Sequence, residues 1–318
     1  MTILHTLSEL SPAERFVFGI GFFDGCHRGH QAVFREVKRL AEEKKARPAL
    51  ITFYPHPMTI LAPEIHVPLL QSREEKLASM EKAGMSAVVC IRPDREFLSL
   101  PAENFLRSLA SIPGLRGLVT GENFTFGRGA LGNGALMASY FAESPVTVRV
   151  LSLTEKDGSE ISSTVIRRAI HEGRVEEAAV LLGRPYSLQG DVVHGFRRGH
   201  EVLGFPTANL ELKENRVIPA DGVYAVRAIV DGRSYGAITN VGNNPTFGNE
   251  KKTIETFIFD FDASIYGRPF TLEWIAQIRG EKKFASPELL VAQIHKDIET
   301  AKSLLFGKES RGNADSAI

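Results

Sequence analysis

Up to residue 183 this chain alternates short apolar runs with amphipathic ones, and at Arg184-Pro185 that rhythm stops. A chain of 318 residues exceeds one typical core and suits two, so the break predicts two domains of different class. Phe16–Gly21 reads as a buried strand. Gln31–Lys44 reads as a helix with Val33, Val37, Leu40 and Ala41 on one face. Ala49–Phe53 is a second strand, Arg73–Ala83 a helix closed by Gly84, and Ala87–Ile91 a third strand. Pro101–Ala110 as helix, then Leu115–Thr120 and Thr147–Leu151 as strands, continue the pattern. Such alternation predicts a parallel sheet with helices on both faces, binding ligands beyond the carboxyl ends of its strands. Two helices, Ser163–Glu172 and Val175–Leu182, close this half at Gly173 and Gly183.

Beyond Pro185 the runs Val192–Val193, Val223–Val230, Ser234–Val241, Thr256–Phe261 and Phe270–Ile278 are β-rich. Turns such as Asp231-Gly232 and Tyr266-Gly267 separate them. They predict a compact antiparallel barrel or sandwich. Ser286 and Pro287 read as cap and first residue of a C-terminal helix bearing Leu290, Ile294, Ile298, Ala301 and Leu305 on one face. The expected organisation is thus 1–183, 184–307 and a polar, frayed tail at 308–318.

Charge is balanced, with 38 basic and 38 acidic side chains, so no basic field argues for nucleic-acid binding. Two distant cysteines, Cys26 and Cys90, exclude a disulfide framework and fit a reducing compartment. The first residues do not read as a signal peptide, and no apolar stretch is long enough to span a membrane. The expected location is cytoplasmic.

GFFDGCHRGH, Gly21 to His30, falls where the first long strand turns into a helix. His27 and His30, three apart at a helix start, lie on one side and can face one ligand. The helix N-terminus offers free N–H groups to phosphate oxygens, and Gly29 lets a nucleotide approach the backbone. No nucleophile is present, so attack on an α-phosphorus would come from the acceptor's own phosphate. The plain alternative is a pair of surface histidines beside a turn. ISSTVIR, Ile161 to Arg167, opens a later helix with Ser162, Ser163, Thr164 and Arg167, which form either an ordinary cap or a second phosphate clamp. His56 in FYPHP reads as a turn histidine between prolines, or as a metal ligand.

In the second half, Gly190, Gly195 and Gly199 form a glycine-bearing loop with Arg197 and Arg198, suited to folding over phosphates. Thr207 and Asn209 in GFPTAN are alternate residues of an extended segment. Their hard oxygens suit Mg²⁺ that also binds substrate phosphates. A turn with satisfied polar side chains is the alternative.

Several motifs together carry a resemblance. GFFDGCHRGH, FYPHP, GENFTFGRGALGN (Gly121 to Asn133) and ISSTVIR are similar to the adenylyltransferase module of the prokaryotic bifunctional riboflavin kinase/FAD synthetase family. That module belongs to the HxGH nucleotidyltransferases, with a Rossmann-like parallel sheet. The resemblance implies transfer of AMP from ATP to FMN. His27 and His30 would act on the ATP phosphates, with nucleotide contacts at Gly21, Phe23, Asp24, Gly29, Asn123, Ser163, Thr164 and Arg167. Phe22 stands where many members have asparagine.

GFPTAN, DGVYAV, ITNVGNNPTF, IETFIFDFD, IYG and RGEKKF resemble, in order, the riboflavin kinase module of the same family. That implies a six-stranded Greek-key-like β-barrel phosphorylating the 5′-hydroxyl of riboflavin. Thr207 and Asn209 match the Mg²⁺ and ATP contacts, Gly195 and Gly199 the nucleotide loop, and Glu255 the general base. Read alone, Glu255 is an outward-facing strand residue. His200 stands where arginine is usual, and Phe284 is a candidate for stacking on the flavin. The partners implied are riboflavin, FMN and ATP, with Mg²⁺ at both sites and neither nucleic acid nor membrane; a homo-oligomer stays open. Loss of one activity, or flavin binding without turnover, are the competing readings. Intact Glu255 and HxGH weigh against both.

Overall fold

The computed structural model of the chain describes residues 1–152, 161–193, 207–243 and 252–307. Two compact units result, Met1–Ser163 and Thr164–Ile318. Gly195, Arg197, Arg198, Gly199, His200 and the tail at 308–318 lie outside the described residues.

The first unit is built on strands β1 (Thr2–Leu4), β2 (Phe16–Ile20), β3 (Arg47–Phe53), β4 (Ala87–Ile91) and β5 (Leu115–Gly121). A small hairpin, β6 (Thr125–Phe126) and β7 (Gly132–Asn133), precedes β8 (Thr147–Leu151). The main sheet runs β1-β4-β3-β2-β5-β8 with parallel pairings throughout. Its helices are α1 (Arg28–Glu43), α2 (Pro57–Leu61), α3 (Arg73–Lys82), α4 (Arg95–Ser99), α5 (Ala102–Ala110) and α6 (Gly134–Tyr140).

Every residue of β2 is buried, as a central parallel strand requires. Its alternation splits two cores. Val17 packs with Val33, Val37 and Leu40 of α1 and with Leu77 and Met80 of α3. Phe16 and Phe18 pack on the other face with Leu106 and Leu109 of α5 and Met137 of α6. Helices therefore cover both faces, as the alternating sequence predicts. At Gly19 a Cβ would lie 2.7 Å from Leu50 and 2.9 Å from Val37, so glycine sets how closely α1 and β3 approach. Truncating fully buried Leu40 to alanine would cost about 2–5 kcal/mol.

Among the described residues the second unit holds α7 (Ser163–His171, from its second residue), α8 (Val175–Leu182), six strands and a C-terminal helix. The strands are β9 (Tyr186–Val193), β10 (Ala208–Glu211), β11 (Gly222–Val230), β12 (Arg233–Asn243), β13 (Lys252–Ile258) and β14 (Pro269–Gly280). They close into an antiparallel barrel, β10-β13-β12-β11-β14-β9. Tyr224 meets Trp274 edge-on at 5.0 Å within it, and its hydroxyl donates to the Ala220 carbonyl at 2.7 Å. Burial pushes that phenol up to about 12. The hydroxyls of Thr239 and Thr256 pair at 2.8 Å. Helix α9 (Pro287–Phe306), capped by the Ser286 hydroxyl accepting from the Leu289 amide, lays Ile298 and Ala301 against Val223, Ala225 and Ile238.

Three details differ from expectation. The strand expected at Thr256–Phe261 is Lys252–Ile258, and the chain turns at Asp260 with φ 53°. Val192–Val193 is only the end of an eight-residue strand. Helix α1 begins at Arg28, because His27 caps it.

Candidate active sites

In the first unit the chain leaves β2 to build β3 and β4 on one side, then returns to build β5 on the other. The sheet therefore reverses direction between β2 and β5, and open parallel sheets bind ligands at such a reversal. Ile20 is in register with Ile51 of β3 and Thr120 of β5, so the loops after these strands emerge together. The loop after β2 carries Gly21 to His27, and that after β5 carries exposed Asn123.

The β2–α1 turn is tightly specified. A Cβ on Gly21 would sit 2.7 Å from the Phe23 ring. Phe23 is left-handed (φ 58°, ψ 31°), and Gly25 and Cys26 also have positive φ, at 83° and 40°. Strain of this kind persists only where surroundings over-determine it. Here they do. The buried Asp24 carboxylate accepts from the Leu70 amide at 3.0 and 3.1 Å and from the Gln71 amide at 3.2 Å. The Ser163 hydroxyl donates to the Asp24 carbonyl at 2.9 Å. The Phe22 carbonyl accepts from the Thr52 hydroxyl at 2.9 Å and from the Lys76 ammonium at 3.2 Å.

His27, 1% exposed, accepts at Nδ1 from the His30 amide at 3.4 Å, which places its own proton on Nε2. The two imidazoles stack at 3.5 Å with 20° between planes, and Phe23 meets His30 edge-on at 5.2 Å. Burial, then the nearby His27 and Lys76, hold His30 well below the usual imidazole range, so it is neutral at neutral pH. Among the described residues its Nδ1 is buried with no hydrogen-bond partner. Gly29 is buried in the first turn of α1. The turn thus brings together Gly21, Phe23, Asp24, His27, Gly29 and His30. The Asp24 carboxylate and the Ser163 hydroxyl each make bonds that hold the turn.

Thr164 is exposed and Arg167 half-buried in α7. His56 caps α2 by accepting from the Met58 amide at 3.1 Å, and its ring meets Phe22 at 4.2 Å. No cluster of three or more His, Cys, Asp or Glu suited to a metal exists among the described residues.

In the second unit, Ala208 and Leu210 of β10 and Ile254, Thr256 and Ile258 of β13 are buried, so the alternate residues Asn209 and Glu255 face outward. Asn209 is in register with Glu255, and Glu255 with Asn240 of β12. Register neighbours on one face lie about 5 Å apart at Cβ, so amide, carboxylate and amide form one row across three strands. Asn240 escaped the sequence reading, although ITNVGNNPTF contains it; its signal is register, which sequence does not print. Thr207 lines a cavity of about 190 Å³ with Val192, Ala208, Thr256, Phe261 and Tyr266. Phe284 lies 5.6 Å from the Arg279 guanidinium and 5.7 Å from the Lys282 ammonium.

The FAD synthetase family matches residues 10–165, and the riboflavin kinase family matches residues 182–305. A bifunctional riboflavin kinase/FMN adenylyltransferase of Bacillus subtilis is 37% identical over 90% of this chain and 91% of its own length. This chain belongs to that family. The bifunctional riboflavin kinase/FMN adenylyltransferase of Escherichia coli is 34% identical over 96% of both chains. A solved structure from Streptococcus pneumoniae, named as a macrolide-efflux protein, is 32% identical with a TM-score of 0.86. It covers 94% of this chain and 98% of its own. Its name assigns transport to that protein; among the described residues here, no helix is long and apolar enough to cross a membrane.

Proposed function

We propose that this member of the family makes FMN on the outward row of its barrel and FAD at the β2–α1 turn. In the first step riboflavin and ATP give FMN and ADP; in the second FMN and ATP give FAD and pyrophosphate. The observation that supports the reading is that each family match falls on its own fold, in sequence order.

In the kinase step a primary alcohol must lose a proton as its oxygen bonds to the γ-phosphorus. Glu255 accepts that proton and ADP departs. Asn209 and Thr207 offer neutral oxygens beside it, a donor set that fits Mg²⁺ held largely by substrate phosphates. Such an ion would neutralise the polyphosphate, and an equivalent ion is proposed at the other site. The cavity beside Thr207 is smaller than pockets for whole drug-sized ligands, roughly 300–1,000 Å³, and suits one ring of the nucleotide.

In the adenylyl step an oxygen of the FMN phosphate attacks the α-phosphorus and pyrophosphate leaves. No side chain forms a bond to phosphorus. The α1 N-terminus and the Nε2–H of His27 stabilise the charge that develops, and neutral His30 offers its unpartnered Nδ1. Asn123, Thr164 and Arg167 are proposed to hold nucleotide, and Gly195 and Gly199 to cover phosphates in the kinase. Both cysteines are buried thiols, which supports a reducing cytoplasmic setting.

The test is incubation with riboflavin, ATP and Mg²⁺, resolving the flavins by chromatography over time. FMN followed by FAD is expected. FMN without FAD would remove the proposed role of the β2–α1 turn, and bound flavin without turnover would remove both.

A further inference from the structure

Lys76 occupies a position where charge is costly. It lies on α3, is 3% exposed, and its lowered ammonium pKa reflects that burial first. A methionine of similar volume would avoid the desolvation. Nothing in the segment REEKLASMEK marks it, since lysine amid glutamates reads as a solvated helix face. Yet the ammonium donates to three uncharged oxygens, the carbonyls of Phe53 at 3.0 Å and Phe22 at 3.2 Å and the Thr52 hydroxyl at 3.3 Å. It also stands 4.6 Å from the centre of the Phe22 ring.

We propose that Lys76 is a positioning residue for adenylyl transfer, fixing the turn that presents His27 and His30 and making the field there positive. The inference rests on the β2–α1 turn being the adenylyl site. Two observations support it. Phe22, whose carbonyl Lys76 and Thr52 share, immediately precedes left-handed Phe23, where an unpinned peptide would relax. The field reaches the chemistry, because His30 is held neutral partly by Lys76. The charged and titratable groups acting on Lys76 are Asp24, Cys26 and Cys90, which favour its charge, and Arg73, which opposes it; those acting on His30 are His27 and Lys76. A polyphosphate arriving at the turn would meet a cation already in place, with no side chain to reorganise.

The experiment is Lys76→Met in the full chain, reading kcat and KM for FMN to FAD, riboflavin phosphorylation in the same preparation, and the His30 titration by NMR. The kcat for FAD is expected to fall about a hundredfold, the effect of roughly 1 Å of misplacement. Riboflavin phosphorylation stays unchanged, and the His30 midpoint rises while staying below the ordinary imidazole value, since burial and His27 still hold it down. Unchanged FAD formation would overturn the inference, as would a joint fall of both activities with an unmoved His30 midpoint. Should Lys76→Met not fold, Thr52→Val decides. It removes one donor to Phe22 and keeps the charge, so FAD formation should drop several-fold without shifting His30; full activity would overturn the inference. In the unmodified protein, His30 titrating near 6.5 would overturn it too. His30→Ala, run alongside, separates the cases: full FAD synthesis by that variant sinks the site reading itself, whereas its inactivity beside a fully active Lys76→Met sinks only the role of Lys76.

Discussion

Asn209 and Glu255 stand in register on neighbouring antiparallel strands, both turned away from the barrel interior. One register thus joins a proposed metal-side amide to a proposed base.

Glu255→Gln keeps the shape and removes the proton acceptor. FMN formation should fall about 10²- to 10⁴-fold, while FMN added directly is still converted to FAD. Flavin chromatography with each substrate supplied separately checks this.

Asn209→Ala removes an oxygen without touching the base. The Mg²⁺ concentration for half-maximal kinase activity should rise, with saturated kcat falling less than in Glu255→Gln. Asn240→Ala, at the far end of the row, should lower kinase kcat with little change in that requirement. Mg²⁺ titrations of all three variants separate the effects.

Asp24→Ala leaves the amides of Leu70 and Gln71 without their buried acceptor. Hydrogen bonds to a charged group contribute about 1.5–3 kcal/mol, so the first unit should lose about that much. FAD formation should fall with it and FMN formation should not. Thermal unfolding followed beside the two assays is the check.

His30 makes the first unit sensitive to acid. Its folded pKa lies below the unfolded value of about 6.5, so between the two the unfolded chain binds more protons and stability falls as pH drops. One such group gives at most about 1.4 kcal/mol per pH unit. Urea unfolding of the first unit from pH 7.5 to 5 should show a shallower acid loss in His30→Gln than in the unmodified chain.

The sheet was readable because parallel strands buried on both faces advertise themselves: Phe16–Ile20 and Ala87–Ile91 stand where the apolar runs put them. Strand β13 was misplaced because Phe257, Phe259 and Phe261 keep a two-residue alternation into the turn; the Phe259 amide still donates to the Gly236 carbonyl, one step on in the β12 register, and the chain then turns at Asp260. Short α2, α4 and α6 left too little periodicity to read. The histidine turn was legible as a motif, but its scaffold was not. The bonds by which Asp24 and Ser163 hold the turn span residues far apart in sequence, and Lys76 is buried although it sits among glutamates. Glu255 faces outward as its strand pattern says; only family likeness gives it chemistry.

The barrel closes by pairing its first strand, β9, with its last, β14. Entry and exit strands are therefore neighbours, and the topology does not depend on where the backbone is cut. The exposed Asp231-Gly232 turn joins β11 to β12 with only two residues between the paired Val230 and Arg233. A barrel opened there would keep all six ladders and the Asn209–Glu255–Asn240 row, so the register that sets the row is independent of that connection.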